Sequence, residues 1–124
     1  FMSVQFKFNE KKAVITGGAR GIGLEISKQF LATGASVAIW DYSQETLEAA
    51  RKEFSGYGDS VLLSAVDVSK RESCEKAALA LPFEIDILVN NAGITRDKSF
   101  AKMTPEDFDA VISTNLTGVF NVTK

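Results

Sequence analysis

Extended and helical hydrophobic patterns take turns along this chain about every 20–25 residues, and few folds can absorb that alternation. Lys12–Thr16 (KAVIT), Ser36–Trp40 (SVAIW), Ser60–Val66 (SVLLSAV) and Ile85–Val89 (IDILV) are short, mostly apolar runs of strand length. Each is followed by a stretch with apolar residues at helical spacing. The first spans Gly21–Thr33, with Ile22, Ile26, Phe30 and Leu31 on one face and Gly34 closing it. The second spans Ser43–Phe54, with Ser43 as N-cap and Leu47, Ala50 and Phe54 turned inward. The third spans Ser69–Leu81, with Ser69 as N-cap and Pro82 just past its end. The fourth opens at Thr104–Pro105, a cap followed by proline at the first helical position, with Glu106 and Asp107 at the positive end of its dipole. Phe108, Val111, Ile112, Leu116 and Phe120 then carry the pattern to the last residues.

Alternating strands and helices call for right-handed crossovers and a parallel sheet. Strands apolar on both faces agree, because helices cover a parallel sheet on both sides. The expected fold is α/β: a Rossmann-type doubly wound parallel sheet in the order 3-2-1-4, of which these are the first four βα units. In that order the apolar fourth strand is an open edge. The helical pattern is also still running at Lys124. Residues 1–124 are therefore expected to form the N-terminal half of a single domain in a longer protein, the half that in sheets of this order is dinucleotide-binding. Phe1, ahead of Met2, reads as a cloning remnant.

Composition removes several classes of function. Fourteen Lys and Arg against 16 Asp and Glu leave a net charge of −2 with no basic stripe, which argues against nucleic acid as a partner. The chain has no histidine, so imidazole-based metal sites and triads are excluded, and no metal site is expected. One cysteine, Cys74, allows no internal disulfide and reads as a small packed residue in mid-helix, which fits a reducing cytoplasm. No apolar run approaches the ~18 residues of a membrane span, and no signal-peptide pattern opens the chain. Phe6, Phe8, Phe30, Phe54, Phe83, Phe108 and Phe120 read as core or subunit contacts. At 13.4 kDa a compact fold would expose roughly 6,500 Å² and bury about two-thirds of its unfolded surface.

Chemistry concentrates where strands give way to helices. Thr16-Gly17-Gly18-Ala19-Arg20-Gly21-Ile22-Gly23 joins the first strand to the first helix. A glycine at the strand end permits a tight turn, Gly21 lets backbone approach a pyrophosphate, and Gly23 lets helix pack close to strand. The helix-start N–H groups would then face phosphate. Asp41 follows the second strand, 20 residues after Gly21, where a carboxylate can bond both hydroxyls of an adenosine ribose. Its charge would repel a 2′-phosphate and favours NAD(H), whereas Arg20 could pair with one and keeps NADP(H) as the alternative. Asp67-Val68 and Asn90-Asn91-Ala92-Gly93 end strands three and four, on the edge where open α/β sheets hold ligands. Asn115 sits inside a helical run, where its side chain is expected to unwind the turn and free a main-chain carbonyl to hold a water.

In order and spacing, these motifs together with Asn115-Leu116-Thr117-Gly118 resemble the short-chain dehydrogenase/reductase family from about Phe8 to Lys124. The stretch from Asn90 onward, with Ile94-Thr95-Arg96-Asp97 and Met103, is most similar to reductases of 3-oxoacyl-(acyl-carrier-protein) and acetoacetyl-CoA. The resemblance implies that Gly17, Gly18, Ala19, Arg20 and Ile22 line the pyrophosphate and adenosine-ribose side. It places Asp41 on the ribose, Asp67 and Val68 beside the adenine, and Asn91, Ala92 and Gly93 against the nicotinamide ribose. Asn115 corresponds to the family's catalytic Asn, which positions a proton-relay water. It further implies an acyl-thioester or other small-molecule substrate, hydroxysteroid, butanediol or polyol oxidation being the alternatives within the family. A non-catalytic dinucleotide-binding module is the alternative outside it. Gly118, on a helix that faces a partner subunit in this family, would permit close helix–helix approach in a dimer or tetramer. The family's Ser and Tyr-x-x-x-Lys do not occur here: Tyr42 is followed four residues later by Thr46, and Tyr57 by Val61. Without them the chain is expected to be inactive alone.

Overall fold

The computed structural model describes residues 3–124; Phe1 and Met2, and with them the cloning remnant inferred there, lie outside the described residues. The elements are β1 Lys12–Thr16, α1 Gly21–Ala32, β2 Ser36–Asp41, α2 Gln44–Glu53, β3 Val61–Ala65, α3 Arg71–Leu79, β4 Ile87–Val89, α4 Pro105–Ile112 and α5 Gly118–Thr123. All strand pairs are parallel, in the expected order β3-β2-β1-β4. Val14 lies opposite Ala38 and Leu88, so β1 is central and the chain reverses its direction of winding between β3 and β4.

Period-2 alternation on buried strands builds two cores, one per face. Ile15, Val37, Ile39 and Val61 point to the side covered by α1 and α2, where Leu31, Leu47, Ala50 and Phe54 meet them. Val14, Ala38 and Trp40 point to the other side, against Val66, Val68 and Cys74 and the partly buried Val122 of α5. Gly34, at φ 94°, ends α1 in the left-handed conformation that only glycine adopts without strain.

Local boundaries depart from the sequence reading at several places. β4 begins at Ile87, because Asp86 bonds back to β1 through Lys12 at both its N–H and its carboxylate, and Ile85 is left exposed. β3 is shorter than expected, since Ser55–Ser60 forms a 3-10 segment after α2. Ser69 does not cap α3; its hydroxyl donates to Asp67, and Lys70 occupies the cap position with no side-chain bond. The expected fourth helix is two, α4 and α5, joined by a π-helical segment at Ser113–Thr117. Ile22, placed on the inward face of α1, is instead 76% exposed, and Phe6, Phe108 and Phe120 are exposed too. Gly118 does not face outward toward another helix: it is buried, and a Cβ there would lie 2.8 Å from Val68 Cγ2. The described chain exposes 8423 Å², well above the roughly 6,500 Å² of a compact monomer of its mass.

Candidate functional site

A cavity of about 620 Å³ opens along the carboxyl ends of the strands, a volume within the range of small-molecule pockets. Most of its wall comes from the four strand ends that sequence spacing singled out, and Ala110, Ser113 and Thr114 complete it. Gly17, Arg20, Gly21 and Ile22 of the first turn line it, with Asp41 at the end of β2. Asp67 and Val68 close one side, and Asn91, Ala92 and Gly93 the other.

Gly18, Ala19 and Gly23 do not line the cavity; they shape the turn from behind. Gly18 is wedged so that a Cβ would stand 3.0–3.1 Å from Ile15 O, Ile39 Cγ2 and Ser27 Oγ. A Cβ on Gly23 would collide with the Gly17 carbonyl oxygen, which is how closely α1 approaches the end of β1. Ala19 is buried and donates its N–H to Asp41 Oδ2 at 3.2 Å. By contrast Gly21, at φ 56°, has nothing within 4 Å of where a Cβ would be, so its open face borders the cavity. Helix α1 starts there with Arg20 as N-cap, no side-chain capping bond and no acidic residue in its first turn. The N–H groups of that turn are therefore available to an anion, and the helix dipole favours one.

Asp41 is 7% exposed and already engaged by protein donors. Besides Ala19 N–H, its Oδ1 accepts from Ser43 N–H at 3.1 Å and Thr46 Oγ1 at 3.2 Å. A carboxylate offers about four acceptor positions, so one remains on the Oδ2 side for a hydroxyl in the cavity. Asp67 is held likewise: Oδ1 accepts from Ser69 N–H at 3.0 Å and Ser69 Oγ at 2.6 Å, and its own N–H donates to Ser73 Oγ. Beneath this loop the Cys74 thiol is buried, and desolvation, reinforced by the Asp67 charge, raises its pKa, so it sits there as a packed neutral thiol.

Asn91 serves the turn more than the opening. Its side-chain amide donates to Thr16 O at 3.1 Å and Gly17 O at 3.0 Å, pinning the glycine turn to the end of β4. Asn115 lies in the π-helical segment, outside the cavity wall. Its Oδ1 accepts from Ile94 N–H at 2.8 Å and its Nδ2 donates to Ile94 O at 2.9 Å, a reciprocal clasp on the loop after Gly93. A π-helical turn widens the backbone register and is frequent at functional sites. Unwinding was thus legible from Asn115, although its form was not.

Sequence reasoning missed four contributors. Thr16 is the hub between β1 and β4: its hydroxyl accepts from Asn91 and Ala92 N–H at 3.1 and 3.0 Å and reaches Val89 O. Ser27, fully buried, places its hydroxyl 2.9 Å from Gly23 O; a polar residue one turn beyond Gly23 on the inward face was the available signal. Asn121, with no signal in spacing, donates to Val68 O at 2.9 Å. Trp40 lines the cavity, and its indole Nε1 is buried with no hydrogen-bond partner among the described residues. The open glycine and the uncapped helix start fit a polar, anionic ligand.

The chain is similar to several known proteins. The family described as short chain dehydrogenase matches residues 11–124. A 3-oxoacyl-(acyl-carrier-protein) reductase from Chlamydia pneumoniae is 46% identical over 113 residues, covering 89% of this chain and 46% of that protein. Among solved structures, 3-ketoacyl-(acyl-carrier-protein) reductase from Brucella melitensis complexed with NADH superposes with a TM-score of 0.84 at 36% identity, covering 94% of this chain and 49% of the other. A serine dehydrogenase complexed with NADP+ gives 0.81 at 33% identity, covering 90% and 46%. The chain thus spans about half the length of the relatives it matches. With the family pattern running from the first strand to the last residue on a sheet of the same winding, this chain belongs to the short-chain dehydrogenase/reductase family.

Proposed function

We propose that the cavity holds a nicotinamide dinucleotide, NAD(H) in preference to NADP(H), and that the whole protein reduces a 3-oxoacyl thioester. The observation that carries the reading is the uncapped, acid-free start of α1, open at Gly21 and facing the cavity, with Asp41 on the same wall. Amides of that turn would hold the diphosphate. Asp41 would accept from the adenosine ribose and repel a 2′-phosphate, while Asp67 and Val68 flank the adenine. Gly17, Gly18, Ala19, Arg20, Ile22 and Gly23 would shape and line the pyrophosphate side, and Asn91, Ala92 and Gly93 the nicotinamide-ribose side. When bound, the cofactor supplies hydride chemistry; the protein supplies orientation and proton management.

Asn115 is assigned to the proton side. Its clasp on Ile94 fixes the loop, and the π-helical turn would leave a main-chain carbonyl to hold a water. The proton donor would be a Tyr-x-x-x-Lys pair outside these residues. The thioester substrate is supported by the 46% identity to a 3-oxoacyl-(acyl-carrier-protein) reductase. The exposed apolar side chains Phe108, Leu116 and Phe120 support a homo-oligomer. No helix is long and apolar enough to cross a membrane among the described residues. The single cysteine supports a reducing cytoplasm, and a net charge of −2 with no basic stripe supports a protein without nucleic-acid partners.

The test is oxidation of NADH by the full-length protein with acetoacetyl-CoA, followed by absorbance. Turnover faster with NADH than with NADPH is expected. Turnover only with a hydroxysteroid, butanediol or polyol, read in the opposite direction as formation of NADH from NAD+, would replace the substrate, and NADH binding with no substrate turned over would indicate a binding module.

A further inference from the structure

Val68 is fastened to α5 by two separate contacts. Asn121 Nδ2 donates to the Val68 carbonyl at 2.9 Å, across 53 residues of sequence. One turn earlier on the same helix, Gly118 is buried against the Val68 side chain, where a Cβ would come within 2.8 Å of Cγ2 and 3.5 Å of the carbonyl oxygen. Among the described residues, the other donor near that carbonyl is the Cys74 thiol, at a long 3.7 Å. Val68 itself is buried yet forms part of the cavity wall. The strand ladder does not hold it, because β3 ends at Ala65. Asp67 beside it is held by Ser69 and Ser73 within the loop, whereas Val68 is held by α5, from the far side of the loop.

We propose that Asn121 is a positioning residue for the adenine end of the cavity, its amide holding the Val68 backbone in place while Gly118 gives α5 the closeness that hydrogen bond needs. This rests on the dinucleotide reading above and adds to it a side chain that neither spacing nor cavity lining reveals. Removing the donor leaves the Val68 carbonyl with only a weak thiol partner and lets the loop move. Asn121 touches neither the first turn nor the Asn91–Gly93 loop in its hydrogen bonding, so the loss falls on one end of the ligand.

The experiment measures dissociation constants of the full-length protein for AMP, NADH and reduced nicotinamide mononucleotide by calorimetry, comparing wild type with Asn121→Leu, Asn121→Gln and Gly118→Ala. Asn121→Leu is expected to weaken AMP and NADH roughly five- to tenfold, the loss of one net hydrogen bond, and to leave the mononucleotide within about twofold. Asn121→Gln, which keeps the donor, restores part of the AMP affinity, and Gly118→Ala weakens AMP as Asn121→Leu does. Should Asn121→Leu fail to fold, the Gly118→Ala measurement decides by the same criterion. Equal weakening of AMP and mononucleotide, or unchanged AMP binding, overturns the proposal while leaving the dinucleotide reading intact. Wild-type protein that binds none of the three overturns both.

Discussion

At Asp41 one carboxylate both anchors the glycine turn, through Ala19 N–H, and presents negative charge to the cavity. Asp41→Asn keeps an oxygen for Ala19 and removes the charge. In the full-length protein it is expected to raise the ratio of kcat/KM for NADPH over NADH about tenfold, equivalent to about 1.4 kcal/mol of relieved repulsion. An unchanged ratio would contradict the ribose assignment. The glycines of the turn separate in the same way. Ala at Gly23 meets a backbone carbonyl that cannot yield, and is expected to cost about 3 kcal/mol. Ala at Gly21 meets open space and is penalised only by its φ of 56°, at about 1–2 kcal/mol. Urea unfolding checks the order; equal costs would mean that close approach of α1 to β1 does not constrain position 23. Such residues were legible in sequence because a glycine or a charge at a strand end serves little besides a tight turn or a ligand. Thr16 and Asn121 were not, since a threonine in a strand or an asparagine in a helix signals nothing until its partner is known.

Helix α4 shows what local sequence can specify without help. Thr104 Oγ1 accepts from Asp107 N–H at 3.1 Å, and Asp107 Oδ2 accepts from Thr104 N–H at 3.2 Å, completing a capping box. Lys98 Nζ joins at 2.7 Å. That ammonium, followed by the Thr104 N–H and hydroxyl, holds the Asp107 carboxyl down to about 2. A carboxyl with a lowered folded pKa stabilises fully above its ordinary 3.8, and that contribution fades as pH falls through about 2. Thermal midpoints of wild type and Asp107→Asn between those pH values should therefore converge on acidification; a constant gap would refute the assignment. Thr104→Ala should cost about 1 kcal/mol at neutral pH. The same local logic misplaced the cap of α3. Ser69 has the right residue type at the right position, but Asp67 two residues earlier captures its hydroxyl. The π-helical segment was half visible for a related reason: poor propensity at Asn115 announces a disturbed turn, whereas its geometry depends on Ile94, 21 residues away.

Over the whole molecule, parallel pairing and the two-faced core followed from pattern and crossover handedness, while the strand order 3-2-1-4 followed only with the doubly wound architecture that the alternation suggests. Which apolar residues stay covered did not follow. Phe108, Leu116 and Phe120 keep a helical period yet lie exposed, contributing to a surface well above that of a compact monomer. Periodicity reports that a face is to be buried, not what buries it. The 124-residue chain alone is expected to bind NADH more weakly than the full-length protein and to show no reduction of acetoacetyl-CoA. Turnover by a verified chain of this length would overturn the assignment of the proton donor. Trp40, the one tryptophan of this sequence and part of the cavity wall, offers a direct view of occupancy. Titrating NADH into the full-length protein while exciting tryptophan should give saturable quenching with energy transfer to the reduced nicotinamide, reversed by excess NAD+ and diminished in Trp40→Phe. Emission that falls only as far as absorption by free NADH requires, with no transfer and no reversal, would contradict a dinucleotide in this cavity.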